Sequence, residues 1–103
     1  MVNFRSYIKS DKSNTQVLPI GERFGDDETH VRYHAIKGDW VTTASVEDDK
    51  DITIYTLYRE NPNSYQVYWQ KNTKTPGINH ISYSVSGPLT LEDVRKKYPM
   101  LKV

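Results

Sequence analysis

The chain contains no cysteine. That excludes disulfides, thiolate metal sites and cysteine nucleophiles, and it fits reducing and oxidising compartments alike. Long apolar runs are also missing, since nothing approaches the ~20 residues of a membrane-spanning helix. The opening stretch Met1 to Tyr7 lacks the apolar core of a signal peptide. Neither a membrane span nor an export signal is therefore expected in this chain. Charge of one sign is not in excess either: 14 Lys+Arg stand against 13 Asp+Glu, a formal net charge of +1. Each phosphate contact needs a cation, so nucleic acid is disfavoured as a partner. The five glycines are never grouped. No phosphate-cradling loop, dinucleotide fingerprint or G-x-S-x-G elbow occurs, and no cofactor is expected.

Aromatics are plentiful, with eight Tyr, two Trp and two Phe in 103 residues. Tyr suits a half-buried sheet, its ring packed and its hydroxyl at the solvent edge. The length fits one domain spanning residues 1–103, without internal repeats. Val2, Phe4, Ser6 and Ile8 alternate with polar residues and predict a first strand. Val17-Leu18 stands beside Pro19, which lacks a ladder donor, so this piece reads as an edge strand at best. Residues 21–28 read as a loop.

From Val31 the pattern sharpens. Gly38-Asp39 is a two-residue hairpin signal, joining Val31, Tyr33 and Ala35 to Trp40, Thr42, Ala44 and Val46. The charged stretch Glu47 to Asp51 leads to Ile52, Ile54, Thr56 and Tyr58. A turn at Asn61-Pro62-Asn63 then leads to Tyr65, Val67 and Trp69. Counting back from each turn places these residues on one shared inward face, with Ile54 opposite Trp69. A further strand, Asn79 to Val85, adds Ile81, Tyr83 and Val85, and Gly87-Pro88 ends it. Thr90 then caps a helix with Asp93 three residues on, Leu91, Val94 and Tyr98 share one side, and Pro99 stops it. The expected fold is mainly β (α+β): an antiparallel meander of five to six strands, an open sheet or partly closed barrel, with one C-terminal helix packed on it.

The same parity count sends Tyr55, Tyr68, Gln66 and Gln70 to the outward face. Flat aromatic and amide side chains there suit a protein, peptide or glycan surface. The leading expectation is thus a small non-enzymatic binding or accessory domain acting through that face. A second expectation is a metal-independent ribonuclease or phosphodiesterase using His80 with His34 or His30, which requires the sheet to close and bring the imidazoles into contact. His30 and His34 on one strand stand about 13 Å apart, too far for one metal ion. A third is a calcium-stabilised surface domain using Asp26, Asp27, Asp48 and Asp49, which the parity count brings to one rim. Lys50 interrupts that acidic run, and Lys71 and Lys74 are expected to neutralise part of it.

Overall fold

A computed structural model describes residues 15–103. Its elements are β1 (Thr15–Phe24), β2 (Asp27–Lys37), β3 (Asp39–Glu47), β4 (Asp51–Asn61), β5 (Ser64–Thr73), β6 (His80–Leu89) and a short helix α1 (Leu91–Lys97), followed by a 3-10 turn, Pro99–Leu101. The six strands form one antiparallel sheet in the order β2-β1-β6-β5-β4-β3. The expected strand Val2 to Ile8 lies outside the described residues.

The centre of the sheet is buried on both sides. Leu57 and Tyr58 are consecutive in β4 and both buried, as are Val67 and Tyr68 in β5. Neighbouring residues in a strand point to opposite faces, so each face needs its own cover. On one face Leu57, Tyr65, Val67 and Leu89 pack against Val94 and Leu101 from the C-terminal helix and turn. On the other, Tyr58, Tyr68 and Tyr83 pack against Ile36 of β2 and Leu18 and Ile20 of β1.

The second cover is the β1–β2 hairpin. These strands pair from Thr15↔Lys37 to Phe24↔Asp27, whereas β1 pairs with β6 only from Gly21 to Phe24. The rest of β1 leaves the line of the sheet and lies over the three tyrosines. Two phenol hydroxyls tie it there: Tyr68 donates to the carbonyl oxygen of Pro19 at 2.7 Å, and Tyr58 donates to Gln16 Oε1 at 3.1 Å. Gly21 stands at the corner with φ +115°, and a Cβ there would come within 2.1 Å of the His30 carbonyl oxygen. Only glycine fits that bend.

The first cover begins with a capping box. The Thr90 hydroxyl accepts from the Asp93 amide at 3.1 Å, and the Asp93 carboxylate accepts from the Thr90 amide at 3.3 Å. Glu92 and Asp93 lie in the first turn and Arg95, Lys96 and Lys97 in the last, as the helix dipole favours. Val94 is fully buried, with Leu91 and Tyr98 packed beside it. The Arg95 guanidinium donates from Nε to the Val103 carbonyl oxygen at 2.7 Å, holding the tail against the helix.

The fold class and the helix match the sequence-based expectation. Several details differ, each for an identifiable reason. Gly38-Asp39 makes no hairpin: β2 pairs with β1, and β2 and β3 are the two edges of the sheet. Gly38 (φ +132°) instead lets the chain pass between them, pressed so close to Arg59 that a Cβ would sit 2.7 Å from its carbonyl group. Residues 21–24 continue β1, and the loop shrinks to a turn at Gly25-Asp26. Pro19 is tolerated because β6 does not reach that part of β1, which among the described residues pairs with β2 alone. The strand β6 runs through Gly87-Pro88 to Leu89, with an irregularity opposite Tyr65 and Val67.

Register also moves by one residue. Irregularities at Arg59/Asn61 and Trp40/Thr42 break the simple count from each turn. Leu57 opposes Val67 and Tyr55 opposes Trp69, while Ile54 opposes Gln70. Ile54 and Trp69 thus lie on opposite faces, and the single inward face is replaced by two.

Two substitutions test this architecture by urea unfolding. Leu57→Ala is expected to lower the unfolding free energy by about 2–5 kcal/mol, the usual cost of a cavity at a fully buried leucine. Gly21→Ala is expected to cost about 1–3 kcal/mol through backbone strain at the corner. A Gly21→Ala chain as stable as the parent would remove the bend from the account.

Candidate functional site

The tyrosine and glutamine set does not share a surface. Tyr55 opposes Trp69 and turns to the helix face, where its ring packs 5.7 Å from Tyr98. Tyr68, Gln66 and Gln70 turn to the opposite face. There Tyr68 is buried under the β1–β2 arm, and Gln66 and Gln70 are half-buried. Burial raises the Tyr68 phenol pKa, with the neighbouring Tyr83 and Tyr58 phenols adding to the effect, and burial likewise raises Tyr58. Tyr55 and Tyr68 are parts of two cores rather than one exposed patch.

The histidines separate along β1. His34 opposes Leu18, His30 opposes Glu22 and His80 opposes Phe24. Leu18 and Phe24 are six residues apart, so His34 stands about 20 Å along the strand from His80. His80 and His30 flank a common ring instead. The His80 imidazole stacks on Phe24 at 4.6 Å with an interplanar angle of 11°, and His30 meets the same ring edge-on at 6.3 Å. His80 Nε2 lies 2.9 Å from Glu22 Oε1. The phenyl ring between the two imidazoles keeps them from acting as a contact acid–base pair. This cluster closes the end of the short β1–β6 seam, where the Gly25 amide also donates to the Asn79 carbonyl at 2.6 Å.

The acidic residues do reach one end of the sheet, but at separate turns. Asp26 and Asp27 belong to the β1–β2 turn, Asp48 and Asp49 to the β3–β4 turn, with β6 and β5 between the two hairpins. Strands are spaced ~4.8 Å apart, so the two pairs stand on the order of 15–20 Å from each other. Among the described residues, no three His, Asp or Glu side chains gather where they could hold one metal ion. Two of the four carboxylates serve their own turns. Asp27 accepts from the Thr29 hydroxyl and from its amide, and these bonds hold its pKa below the usual carboxylate range, hydroxyl first. Asp48 accepts from the amides of Asp51 at 2.7 Å and Lys50 at 2.8 Å, with the same effect, the Asp51 amide first. Lys74 pairs with Glu47 at 2.6 Å and Lys71 with Asp51 at 3.5 Å, the neutralisation expected from the sequence.

The two sheet edges differ sharply in chemistry. The edge strand β2 carries Asp27, Glu28, His30, Arg32, His34 and Lys37. The edge strand β3 carries no charged side chain from Trp40 to Val46. Edges are normally blunted by charge, proline or bulges, and among the described residues only the irregularity at Trp40/Thr42 intervenes. Thr42 to Glu47 pairs regularly with β4. The Asp48 amide bonds inward to the Asp51 carbonyl at 2.9 Å. Bonded and non-bonded pairs alternate along an antiparallel ladder, so Thr43, Ser45 and Glu47 turn their amides and carbonyls away from β4. Beside this edge Trp40 is 60% exposed and Ile54 36%. The indole of Trp40 donates from Nε1 to Thr43 Oγ1 at 2.8 Å, which holds the ring in place. Val41 and Ala44, on the helix face, are packed under the C-terminal turn.

The sequence matches no protein-family model, no curated protein and no solved structure. No helix among the described residues is long and apolar enough to cross a membrane. The arrangement itself is therefore the basis for a functional reading. Outward-turned backbone groups beside a fixed aromatic ring can bind an extended chain.

The buried phenols give a pH test. Tyr58 and Tyr68 keep their protons to higher pH in the folded chain than in the unfolded one, where tyrosine ionises near pH ~10. Their contribution is complete below that value and is lost as pH rises beyond it. Unfolding free energy measured from about pH 9 to about pH 11 is expected to fall, and Tyr68→Phe to make the decline shallower. An identical slope in the variant would mean that Tyr68 titrates as a surface phenol.

Proposed function

We propose that this domain is a non-enzymatic interaction module that binds an extended protein segment as an added strand beside β3. The observation carrying this reading is the uncharged edge from Trp40 to Val46, set against the charged edge of β2 at the other side of the same sheet. Strand addition draws its affinity from main-chain hydrogen bonds and its selectivity from side chains on alternate positions. Thr43 and Ser45 supply the main-chain groups. Trp40 and Ile54 supply an apolar shelf on the face the partner's side chains would cover. The helix face of β3 is already packed by Val41 and Ala44, so one face of the added strand carries the selectivity.

The reading keeps the binding role expected from the sequence and moves it from the Tyr/Gln face to the edge. Its test is a selection of random peptides displayed on phage against the immobilised chain. The enriched peptides are expected to lose at least about tenfold in affinity, roughly 1.4 kcal/mol, for a Ser45→Pro chain. That substitution removes an outward amide and spares the β3–β4 ladder, so the melting temperature serves as the control for folding. The exposed variant Ser45→Lys, which blunts the edge by charge, provides an independent check. Peptides that bind both variants as tightly as the parent would refute the edge as the binding element.

A further inference from the structure

Residues 1–14 lead into β1 at Thr15, and the topology delivers them beside the uncharged edge. Every neighbouring pair of strands is antiparallel, so β1 and β3 run the same way and start at the same end of the sheet. Thr15 is the register partner of Lys37, two residues before Asp39. Partners across an antiparallel ladder stand ~5 Å apart, and two extended residues add at most ~7 Å. A strand lying ~4.8 Å outside β3 thus has its Asp39 end within roughly 17 Å of Thr15. The steps from Ile8 to Thr15 span up to about 23 Å, which is enough. Val2 to Ile8 matches Trp40 to Val46 in length. Within it Val2, Phe4 and Ile8 fall at one parity and Asn3, Arg5 and Tyr7 at the other.

Resting on the strand-addition reading of this edge, we infer that Val2 to Ile8 of the same chain pairs with β3 and masks the site until an extended partner displaces it. The connection fixes the direction. An antiparallel strand ends beside Asp39, within reach of Thr15, whereas a parallel one ends beside Val46, about 20 Å further along the sheet and beyond that reach. Pairing satisfies the outward amides and carbonyls of Thr43 and Ser45, and the side bearing Val2, Phe4 and Ile8 meets the exposed shelf of Trp40 and Ile54. It also covers an edge that would otherwise template aggregation. The tether favours this segment over that of a second copy, because a short linker holds it at an effective concentration of order mM. A partner then competes with a resident strand, and its apparent affinity falls in proportion to the fraction of molecules with an open edge.

Amide hydrogen exchange of the full chain, followed by nuclear magnetic resonance, reads the occupancy of the edge without any partner. The Thr43 and Ser45 amides are expected to exchange at least about tenfold more slowly than in a Phe4→Pro/Arg5→Pro chain. Consecutive prolines remove a ladder donor whichever alternate set faces β3. Phe4→Asp/Ile8→Asp, which strips the apolar side, should release the same two amides. Retained protection of the β5 amides shows that each variant is folded. The slowing should not depend on protein concentration, and the peptides from the phage selection should bind the proline variant tighter by the same factor. Equal exchange in the parent and both variants overturns the resident strand, and peptides that still require the Ser45 amide then leave strand addition standing. Slowing that grows with concentration, together with a dimer in sedimentation, overturns it as well, because the strand then comes from a second copy. Indifference of the peptides to Ser45→Pro removes the strand-addition reading, and the masking with it, whatever the exchange rates show.

Discussion

Everything in this fold follows from burying the β4–β5 hairpin on both of its faces. Leu57 and Val67 face one way, Tyr58 and Tyr68 the other, and all four are buried. A lone antiparallel sheet can leave one face wet, but this one cannot, because its two central strands carry large apolar groups at both parities. The helix with its 3-10 turn answers one demand and the β1–β2 arm the other. The arm is fixed by two phenol bonds and a glycine corner rather than by a long ladder, since β1 meets β6 over four residue pairs. The tyrosines therefore serve packing and hydrogen bonding at once: their rings fill the space under the arm, and their hydroxyls satisfy polar groups of β1 that the sheet does not reach.

This arrangement also accounts for the edges. Because the arm folds over the tyrosine face, β2 becomes an edge rich in charge, while β3 is left at the other side with only β4 beside it among the described residues. Lys37, Gly38 and Asp39 connect the two in a few residues, with Gly38 pressed on the Arg59 backbone. The apolar inner side of β3 is anchored under the C-terminal turn, so its outer backbone is presented on a fixed support. A binding edge held on a rigid element is better suited to recognition than one on a loop.

Much of the fold was legible in the sequence. The helix was readable because its cap, its i, i+3, i+7 apolar side and its terminal proline are all local signals. The strand β6 was readable because Ile81, Tyr83 and Val85 alternate cleanly with polar neighbours. The faces of β4 and β5 were not. Leu57 was passed over because counting from the Asn61 turn assumed a ladder without irregularities, and one extra residue near Glu60 reverses every assignment. The adjacency of Leu57 with Tyr58, and of Val67 with Tyr68, was the available sign that both faces are covered. The pairing of β1 with β2 was hidden by Pro19 and by the polar composition of residues 21–28. As for function, an uncharged run from Trp40 to Val46 is visible in the sequence, but only strand order reveals it as an edge. The Tyr55 and Tyr68 grouping inherited the same parity error. His80 and His30 meet through Phe24, whose place in a strand is masked by the polar composition of residues 21–28.

The most direct measurement of the central claim is a set of through-space proton contacts from nuclear Overhauser spectra of the intact chain. Two-sided burial predicts contacts from the Tyr68 ring to Leu18 and Ile36, and from the Val67 methyls to Val94 and Leu101, with no residue of the arm touching Val67. Contacts from both Val67 and Tyr68 to the helix, or a Tyr68 ring free of any contact with the β1–β2 arm, would contradict it.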